Sequence, residues 1–315
     1  MPAGTRHQPL VSICIPAYRC EAFISATIHS ALGQTVDDIE IIISIDGGPP
    51  PPALEAFRDH PQVRILTPPV RLGWVRNSNY VLGKARGQFF MLLPHDDLLA
   101  PSFVEACLNV LVREPACFAA YSDIATAQGL MRATEVRGTT AQRVQHVMCN
   151  LYGGYSFRAL MRRHPEQWHL LELIPNPPTD FAVDSLWIMQ QSRFGELRRI
   201  PQALYWKAFS ETSVHARWAH VPPAELLEAW RNHCLQMGHL ARTLVGDDAL
   251  VSAMVTHRLD ARRVHDAPHY LKALIGAGDR PTGTRRSIEL AVEKRAAVPR
   301  CGRGACERRP TQGMV

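Results

Sequence analysis

Three groups of residues that can do chemistry stand directly after short apolar runs of this chain. They are Pro16-Ala17-Tyr18 after VSICI, Asp46 after IEIIISI, and His95-Asp96-Asp97 after QFFMLLP. If each run is a strand of one parallel sheet, all three groups lie beyond the carboxyl ends of the strands, where open α/β sheets bind ligands. A single crevice would then collect an aromatic ring, a histidine and three carboxylates.

The adjacent carboxylates Asp96 and Asp97 repel each other unless a cation lies beside them. Hard divalent ions prefer carboxylate oxygen, and such an ion would also bridge a pyrophosphate group. Asp46 could accept the ring N–H of a uracil or guanine base, and Tyr18 offers an aromatic face on which that base could stack. These residue types therefore suit a nucleotide sugar whose leaving diphosphate is neutralised by a metal ion.

Each of these features also has a simpler explanation when it is taken alone. Asp46-Gly47-Gly48 is a favourable turn, and Asp96 could cap the helix expected near Pro101. The functional interpretation is favoured because the three groups occur in order, each at the end of an expected strand.

Apolar periodicity predicts the elements that must position these residues. Strand patterns cover residues 11–16, 39–45, 63–66, 88–93 and 116–122, and helix patterns cover residues 21–32, 74–85 and 102–112. This alternation requires right-handed crossovers and predicts an α/β fold with a mostly parallel, doubly wound sheet. Further helices are expected at residues 182–191, 224–245 and 249–274.

Two longer stretches around the polar groups match patterns of one known family. VSICIPAYRCEAFISATIHSALGQTVDDIEIIISIDGG follows V-S-I-I-I-P-x-Y-N, then S-x-x-x-Q-T, then a strand ending Asp-Asp-Gly-Ser. RLGWVRNSNYVLGKARGQFFMLLPHDDLLAP follows N-x-G-x-x-x-x-x-N-x-x-x-x-x-A-x-G-x-Y-I-x-x-L-D-x-D-D-x-x-x-P, with Asn79, Ala85, Gly87 and Pro101 at equivalent places. The chain thus resembles the family-2 inverting glycosyltransferases. The resemblance implies the GT-A type fold of nucleotide-diphospho-sugar transferases, here with a helical C-terminal extension.

The resemblance also implies roles for the residues at the strand ends. The expected donor-binding residues are Pro16, Ala17, Tyr18, Asp46, Asn79, His95 and Asp96. Asp97 is the first choice as a direct ligand of Mg²⁺ or Mn²⁺, with Asp96 nearer the ribose or the sugar and second as a metal ligand. The chain departs from the family twice, because Pro94 and Ile45 stand where the family has further aspartates.

A second region of resemblance supplies a candidate base. FAVDSLWIMQQSRFGELRRIPQALYWKAFSETS is similar to E-D-x-x-L-W-L-R-L-x-x-x-G-x-x-x-x-I-P-x-x-L-Y-x-Y-R. This similarity implies Asp184 as the catalytic base and puts Lys207 at the usual arginine, on the acceptor side. A base is needed because the acceptor hydroxyl must lose a proton as it attacks the anomeric carbon. Asp184 could instead only cap its helix, and Asp180 is the fallback base.

Three further site residues are expected from the same half of the chain. Gly154 and Tyr155 belong to a glycine-rich segment, YGGYSFR, that resembles the acceptor side of the family's site. His215 is expected to complete the metal shell, as a histidine does in some relatives of this fold. Tryptophans such as Trp168, Trp206 and Trp218 could stack on an acceptor sugar, although core packing is their commoner role.

Length and composition bound the organisation of the chain. Its 315 residues, 46% of them hydrophobic, are enough for a substantial core. We expect a glycosyltransferase domain at residues 1–220, divided into a nucleotide-binding half at 8–123 and an acceptor and catalytic half at 124–220. A helical extension at 221–275 and a basic, disordered tail at 276–315 follow. The tail accounts for most of the net charge of +6.

The expected partners are a nucleoside diphosphate sugar donor and a glycan, lipid-linked sugar or protein acceptor. Scattered cysteines and the lack of a long apolar segment favour the cytoplasm. The basic tail allows contact with the inner membrane face, and no nucleic acid is expected. The main alternative is a non-catalytic protein that binds a nucleotide or glycan, because Pro94 and Ile45 remove two carboxylates. An oxidoreductase is excluded by the lack of G-x-G-x-x-G after any expected strand.

Overall fold

The computed structural model describes residues 8–150, 154–208, 217–218 and 220–259. Nine strands of this part of the chain form one mixed sheet. They are β1 (Val11–Ala17), β2 (Ile39–Ile45), β3 (Val63–Leu66), β4 (Phe89–Leu92), β5 (Leu98–Leu99), β6 (Cys117–Thr126), β7 (Gly129–Met131), β8 (Leu160–Arg162) and β9 (Glu196–Trp206). The strand order is β3-β2-β1-β4-β8-β6-β9-β5, with β7 paired to β6.

Seven α-helices lie among the described residues. They are α1 (Ile24–Leu32), α2 (Trp74–Leu82), α3 (Phe103–Arg113), α4 (Thr140–Asn150), α5 (Val183–Gln191), α6 (Pro223–Val245) and α7 (Asp248–Leu259). Short 3₁₀ turns occur at Pro52–Phe57, Tyr155–Arg158 and Pro165–Leu170. None of the helices in the described part is long and apolar enough to cross a membrane.

The first half of the sheet has the parallel arrangement that the sequence predicts. Strands β1 to β4 are parallel, in the order β3-β2-β1-β4. Every residue of β2 is buried, because helices cover both faces of the sheet and a β-branched run can fill both. The carboxyl ends of β1, β2 and β4 therefore meet at one edge, where the three polar groups follow them.

The second half of the sheet is not parallel throughout. Strand β8 runs antiparallel to both β4 and β6, and β5 runs antiparallel to β9, whereas β6 and β9 are parallel. The antiparallel strands β5, β7 and β8 have two or three residues each. They were not predicted, since so short a strand shows no alternation of polar and apolar residues.

Helices α6 and α7 of the expected extension pack against the second half of the sheet domain. Met237, Ala241, Val251 and Met254 belong to the same buried cluster as Trp187 of α5. The extension thus shares its core with the elements that hold the candidate base. The expected basic tail, residues 276–315, lies outside the described residues.

Candidate active site

A cavity of about 210 Å³ opens beyond the carboxyl ends of β1, β2 and β4. It is lined by residues from both halves of the domain. The expected site residues among them are Pro16, Ala17, Tyr18, Asp46, His95, Asp96, Asp97, Asp184 and Lys207. Four carboxylates and several cations therefore face one small volume, and the candidate metal residues share it with the candidate base.

Asp46 is held by the amino end of α2. Its Oδ1 accepts a hydrogen bond from the Leu72 N–H at 2.6 Å, and its Oδ2 accepts one from the Gly73 N–H at 2.9 Å. Gly73 has a φ of 80°, which a glycine adopts without strain and which aims these amides at the carboxylate. Asp46 is buried and fixed in orientation. It lies at the side of the cavity where the nucleobase of the donor is expected.

Tyr18 carries an arginine on its ring. The guanidinium carbon of Arg71 lies 4.3 Å from the ring centroid, and both residues line the cavity. This is a cation–π contact, and Asp46 lines the same cavity. Arg71 stands where the N-x-G pattern of the family has its asparagine, which was the only sequence signal for it.

The carboxylate of Asp97 accepts three hydrogen bonds from protein donors. Its Oδ2 accepts hydrogen bonds from Arg158 Nε at 3.0 Å and from the Tyr205 hydroxyl at 2.7 Å, and its Oδ1 accepts one from the Ala208 N–H at 3.0 Å. The side chains of Asp97 and Arg158 are 1% and 13% exposed. Asp97, the first choice as metal ligand in the sequence analysis, thus lies at the cavity wall and is also bound by three protein donors.

Asp96 is only partly buried and lies beside Asp97 at the cavity wall. Burial and the neighbouring charge of Asp97 both raise its pKa, so a cation here would stabilise its charged form. No cluster of three His, Cys, Asp or Glu side chains that could hold a metal alone occurs in the described part of the chain. The residues nevertheless fit an ion such as Mg²⁺, which is commonly held by one or two carboxylates together with substrate phosphates.

Asp184 lies in the first turn of α5, where the N-terminal amides are unpaired. Its Oδ1 accepts a hydrogen bond from the Ser185 N–H at 2.8 Å. Burial raises the pKa of Asp184 above the usual aspartate value, although the Ser185 N–H and the charges of Arg158 and Lys207 offset part of this effect. A carboxylate with a raised pKa is a better proton acceptor, which suits a general base.

Gly154 lies directly behind this carboxylate. A Cβ atom at position 154 would collide with Oδ2 of Asp184. The resemblance put Gly154 at the acceptor sugar, but the close approach seen here is to the candidate base. The lack of a side chain at Gly154 leaves the space that the Asp184 carboxylate occupies.

Lys207 follows β9 and is almost fully buried in the cavity wall. Burial, together with the charge of Arg158, lowers its pKa to about 8, even though Asp97, Asp184 and Asp96 act in the opposite direction. Its ammonium group is therefore charged at neutral pH but close to its titration range. A cation here is available to an anionic ligand.

The described lining residues do not include four residues that the sequence analysis named, Asn79, Gly154, Tyr155 and Asp180, and a fifth, His215, cannot be placed. Asn79 is not among the described lining residues, because its amide group pairs with the backbone N–H and C=O of Leu173 at 2.7 and 2.9 Å. Tyr155 packs between the two main hydrophobic clusters. Asp180, the fallback base, accepts a hydrogen bond from the Asn176 N–H and is not among the described lining residues either. His215 lies outside the described residues.

The sequence analysis did not assign a role to several cavity residues. They are Arg71, Arg158, Tyr205 and Arg217, of which all but Tyr205 line the cavity wall. Trp218, which the sequence analysis considered as a stacking surface for a sugar, also lines the cavity. Arg158 had a signal, since it ends the glycine-rich segment YGGYSFR. Tyr205 matches the tyrosine of the quoted I-P-x-x-L-Y pattern, but no local signal indicated its contact with Asp97, which joins residues 108 positions apart.

Comparisons with known proteins agree with this architecture. Residues 12–167 match the family model described as Glycosyl transferase family 2. Hyaluronan synthase of Pasteurella multocida is 29% identical over 211 residues, which is 62% of this chain and 20% of that protein. Chondroitin synthase of Escherichia coli is 37% identical over 110 residues, or 34% of this chain and 16% of that protein. The chain thus spans about a fifth of the length of such relatives.

Solved structures show the same fold. Staphylococcus aureus TarS residues 1–349, in complex with UDP-GlcNAc, matches with a TM-score of 0.61 and 15% identity, covering 85% of this chain and 80% of that one. At this level of identity the likeness concerns the fold alone. It confirms the GT-A type architecture that the sequence patterns implied.

Proposed function

The chain carries a glycosyl transferase family 2 domain over residues 12–167, and on this premise we propose that it moves a sugar from a nucleoside diphosphate sugar to a hydroxyl group with inversion. The observation that carries this proposal is the shared cavity. Asp96 on the nucleotide-binding side and Asp184 on the other side line the same 210 Å³ volume. An in-line displacement needs a leaving-group site and a proton acceptor on opposite sides of one carbon atom.

The nucleobase of the donor is assigned to the side of the cavity formed by Tyr18, Asp46 and Arg71. The guanidinium of Arg71 can donate to a carbonyl oxygen of the base, and Asp46 can accept from its ring N–H. Uracil and guanine both present this combination. Because TarS binds UDP and UDP-GlcNAc, a uridine diphosphate sugar is the first donor to test.

Asp96, together with the donor's own phosphates, would hold Mg²⁺ or Mn²⁺, and Asp97 would stand behind it in contact with Arg158. When bound, the ion would neutralise charge on the leaving diphosphate. The cations Lys207 and Arg158 lie at the same wall and add positive potential there. The donor's diphosphate is thereby attracted to the protein's own side chains.

The proposed reaction is one displacement in which Asp184 takes the proton. The acceptor oxygen forms a bond to the anomeric carbon while the bond from that carbon to the diphosphate oxygen breaks. The hydroxyl proton passes to the Asp184 carboxylate, and the nucleoside diphosphate leaves with the bonding electron pair. The raised pKa of Asp184 favours this transfer over one to an ordinary aspartate.

A growing polysaccharide is the acceptor that the relatives favour. Two of them are named hyaluronan synthase and chondroitin synthase. Trp218 lines the cavity, with its indole N–H bonded to the Thr179 carbonyl, and offers an aromatic surface to a sugar ring. The basic residues 276–315 suggest a variant of this proposal, in which they contact the cytoplasmic face of a membrane and the acceptor there is a lipid-linked sugar or a protein.

The test is an Asp184→Asn variant with Asp180→Asn as its matched control. Both substitutions keep an oxygen that can accept the local backbone N–H. We expect Asp184→Asn to lower kcat by roughly 10²–10⁴-fold, the usual contribution of a general base, and Asp180→Asn to retain turnover. Release of nucleoside diphosphate and formation of glycoside are measured with Mg²⁺, with Mn²⁺ and with a chelator.

Full turnover in Asp184→Asn would refute the role of this residue as the base. Binding of a nucleotide sugar by the unaltered protein without release of diphosphate, with every acceptor tried, would favour the non-catalytic alternative. Such a result would be explained by the hydrogen bonds that protein donors make to the Asp97 carboxylate and by the proline at position 94.

A further inference from the structure

The last turn of α4 is capped by two residues of α7, which lies in the C-terminal extension. Arg258 donates from Nη1 to the carbonyl oxygens of Val147 and Met148, each at 3.0 Å. The neighbouring His257 donates from Nε2 to the Cys149 carbonyl at 3.2 Å. Three successive carbonyls at the C-terminus of α4 are thus bound by side chains from a helix more than a hundred residues later.

This contact has a clear physical reason. The last carbonyls of a helix lack intrahelical partners and carry partial negative charge, so a cation with several N–H donors stabilises them. Arg258 is fully buried, and its Nε donates to His233 Nε2 at 3.1 Å. Burial and the nearby charge of Arg258 lower the pKa of His233, so the ring stays neutral and can accept this bond. The guanidinium is fixed from both sides.

The capped turn is close in sequence to Gly154, which lies against the candidate base. Helix α4 ends at Asn150, and four residues later Gly154 lies against the Asp184 carboxylate. The Gly154 carbonyl also accepts a bond from Arg158 Nη1 at 3.4 Å. A shift of the end of α4 would therefore move the wall against which Asp184 rests.

Arg258 also acts on Asp184 through its charge. The described cations whose charges favour ionised Asp184 are Arg158 after Gly154, Lys207 after β9, and Arg258 from α7. Arg158 and Lys207 line the cavity, whereas Arg258 is buried among α4, α6 and α7. Its charge is thus constant during the reaction.

We propose that Arg258 is a positioning residue for Asp184, which makes the extension helices α6 and α7 part of the catalytic apparatus. This inference rests on the proposed function of Asp184. It assigns a role in the site to residues beyond 12–167, the part of the chain that matches the family model. The extension holds the C-terminus of α4 and, through it, the glycine wall of the base.

The experiment compares Arg258→Met, which removes the charge and the donors, with Arg258→Lys, which keeps the charge. Arg242→Met is the control, because Arg242 is an exposed arginine of the same extension and pairs with the exposed Asp248. We expect Arg258→Met to lower kcat by roughly 10–100-fold, as a misplaced catalytic group does, with donor KM and nucleotide affinity within about twofold of the original.

The pH profile supplies a readout that a purely structural role would not change. Loss of the Arg258 charge raises the pKa of Asp184 further, so the acidic limb of kcat should move to higher pH in Arg258→Met. That limb should stay in place in Arg258→Lys, which should also recover most of kcat. Arg242→Met should match the unaltered protein throughout. If Arg258→Met does not fold, Arg258→Gln, which keeps a donor without the charge, takes its place.

The proposal is overturned if the folded, uncharged variant keeps its kcat, or if kcat, KM and nucleotide affinity all deteriorate together and lysine restores none of them. Failure of the proposed function would look different, because the unaltered protein itself would then show no turnover. In that case the proposal is decided by NMR titration of the Asp184 carboxyl. A higher pKa in the uncharged variant but not in Arg258→Lys supports it, and no change overturns it.

Discussion

Lys207 is the cavity cation whose charge pH can remove most easily. Burial and the charge of Arg158 lower its pKa to about 8, so the ammonium is charged below that pH and neutral above it. An anionic diphosphate binds the charged form better. We therefore expect kcat/KM for the donor to fall as pH rises through about 8, measured as initial rates across a pH series with fixed ionic strength.

Arginine at position 207 would separate this effect from others. The guanidinium stays charged across the range, and the family pattern has arginine at this place. Lys207→Arg should retain activity and lose the alkaline decline, whereas Lys207→Met should show low donor affinity at every pH. An unchanged alkaline limb in Lys207→Arg would assign that limb to a different group.

Arg71 differs from the family pattern in this site, whereas Arg158 ends the segment YGGYSFR that resembles it. Arg71 replaces an asparagine and places a guanidinium on the ring of Tyr18. Arg158 occupies the Asp97 carboxylate that the sequence pattern had suggested for a metal ion. Both arginines add positive charge to a site with fewer carboxylates than the family pattern has, because Pro94 and Ile45 stand where the family has aspartates.

At the scale of elements, the approach of the Tyr155–Arg158 turn to α5 depends on Gly154. Alanine at this position would put its Cβ into Oδ2 of Asp184 and force the carboxylate to move. We expect Gly154→Ala to lower kcat by roughly 10–100-fold through misplacement and to cost about 1–3 kcal/mol of unfolding free energy through overpacking. Steady-state kinetics and urea unfolding measure the two effects.

Gly33 gives a matched control for this substitution. Its φ of −81° is close to the −82° of Gly154, so neither position requires glycine for its backbone conformation. Alanine at Gly33 would meet only the His29 carbonyl, at 3.2 Å and away from the cavity. Gly33→Ala should therefore keep its kcat, and a Gly154→Ala variant with normal kcat would contradict the contact described here.

At the scale of the whole molecule, Asp97 joins the two halves of the domain. It precedes β5, while its partners Arg158 and Tyr205 are 61 and 108 residues further along the chain. Asp97→Asn would leave the buried guanidinium of Arg158 without its counter-charge. We expect a loss of about 3–5 kcal/mol in the free energy of unfolding, measured with urea.

The neighbouring carboxylate provides the comparison. Burial and Asp97 raise the pKa of Asp96, so its charge is unfavourable in the folded protein. Asp96→Asn should therefore leave stability unchanged or slightly higher, and it should abolish the extra thermal stabilisation that Mg²⁺ or Mn²⁺ gives to the complex with a nucleoside diphosphate. Equal destabilisation by both variants would refute the separate roles assigned to Asp96 and Asp97.

Local patterns in the sequence determined a large part of this protein. The all-apolar run at 39–45 predicted a strand covered on both faces, and residues 39–45 form β2 with every position buried. The helix expected at 224–245 is α6, Pro223–Val245. Polar groups at three strand ends predicted a crevice, since parallel strands bring their carboxyl ends to one edge. These features were accessible because period and strand polarity are properties of neighbouring residues.

Only the tertiary structure decided which polar groups pair with one another. Arg158 and Tyr205 with Asp97, Arg258 with the end of α4, and Leu173 with Asn79 are all contacts between residues 61 to 111 positions apart. No local period encodes such a contact, because it depends on how the packed elements orient their side chains. The sequence by itself therefore determined the elements and the candidate acids, and packing decided that Asp97 is the acid that joins the two halves of the fold.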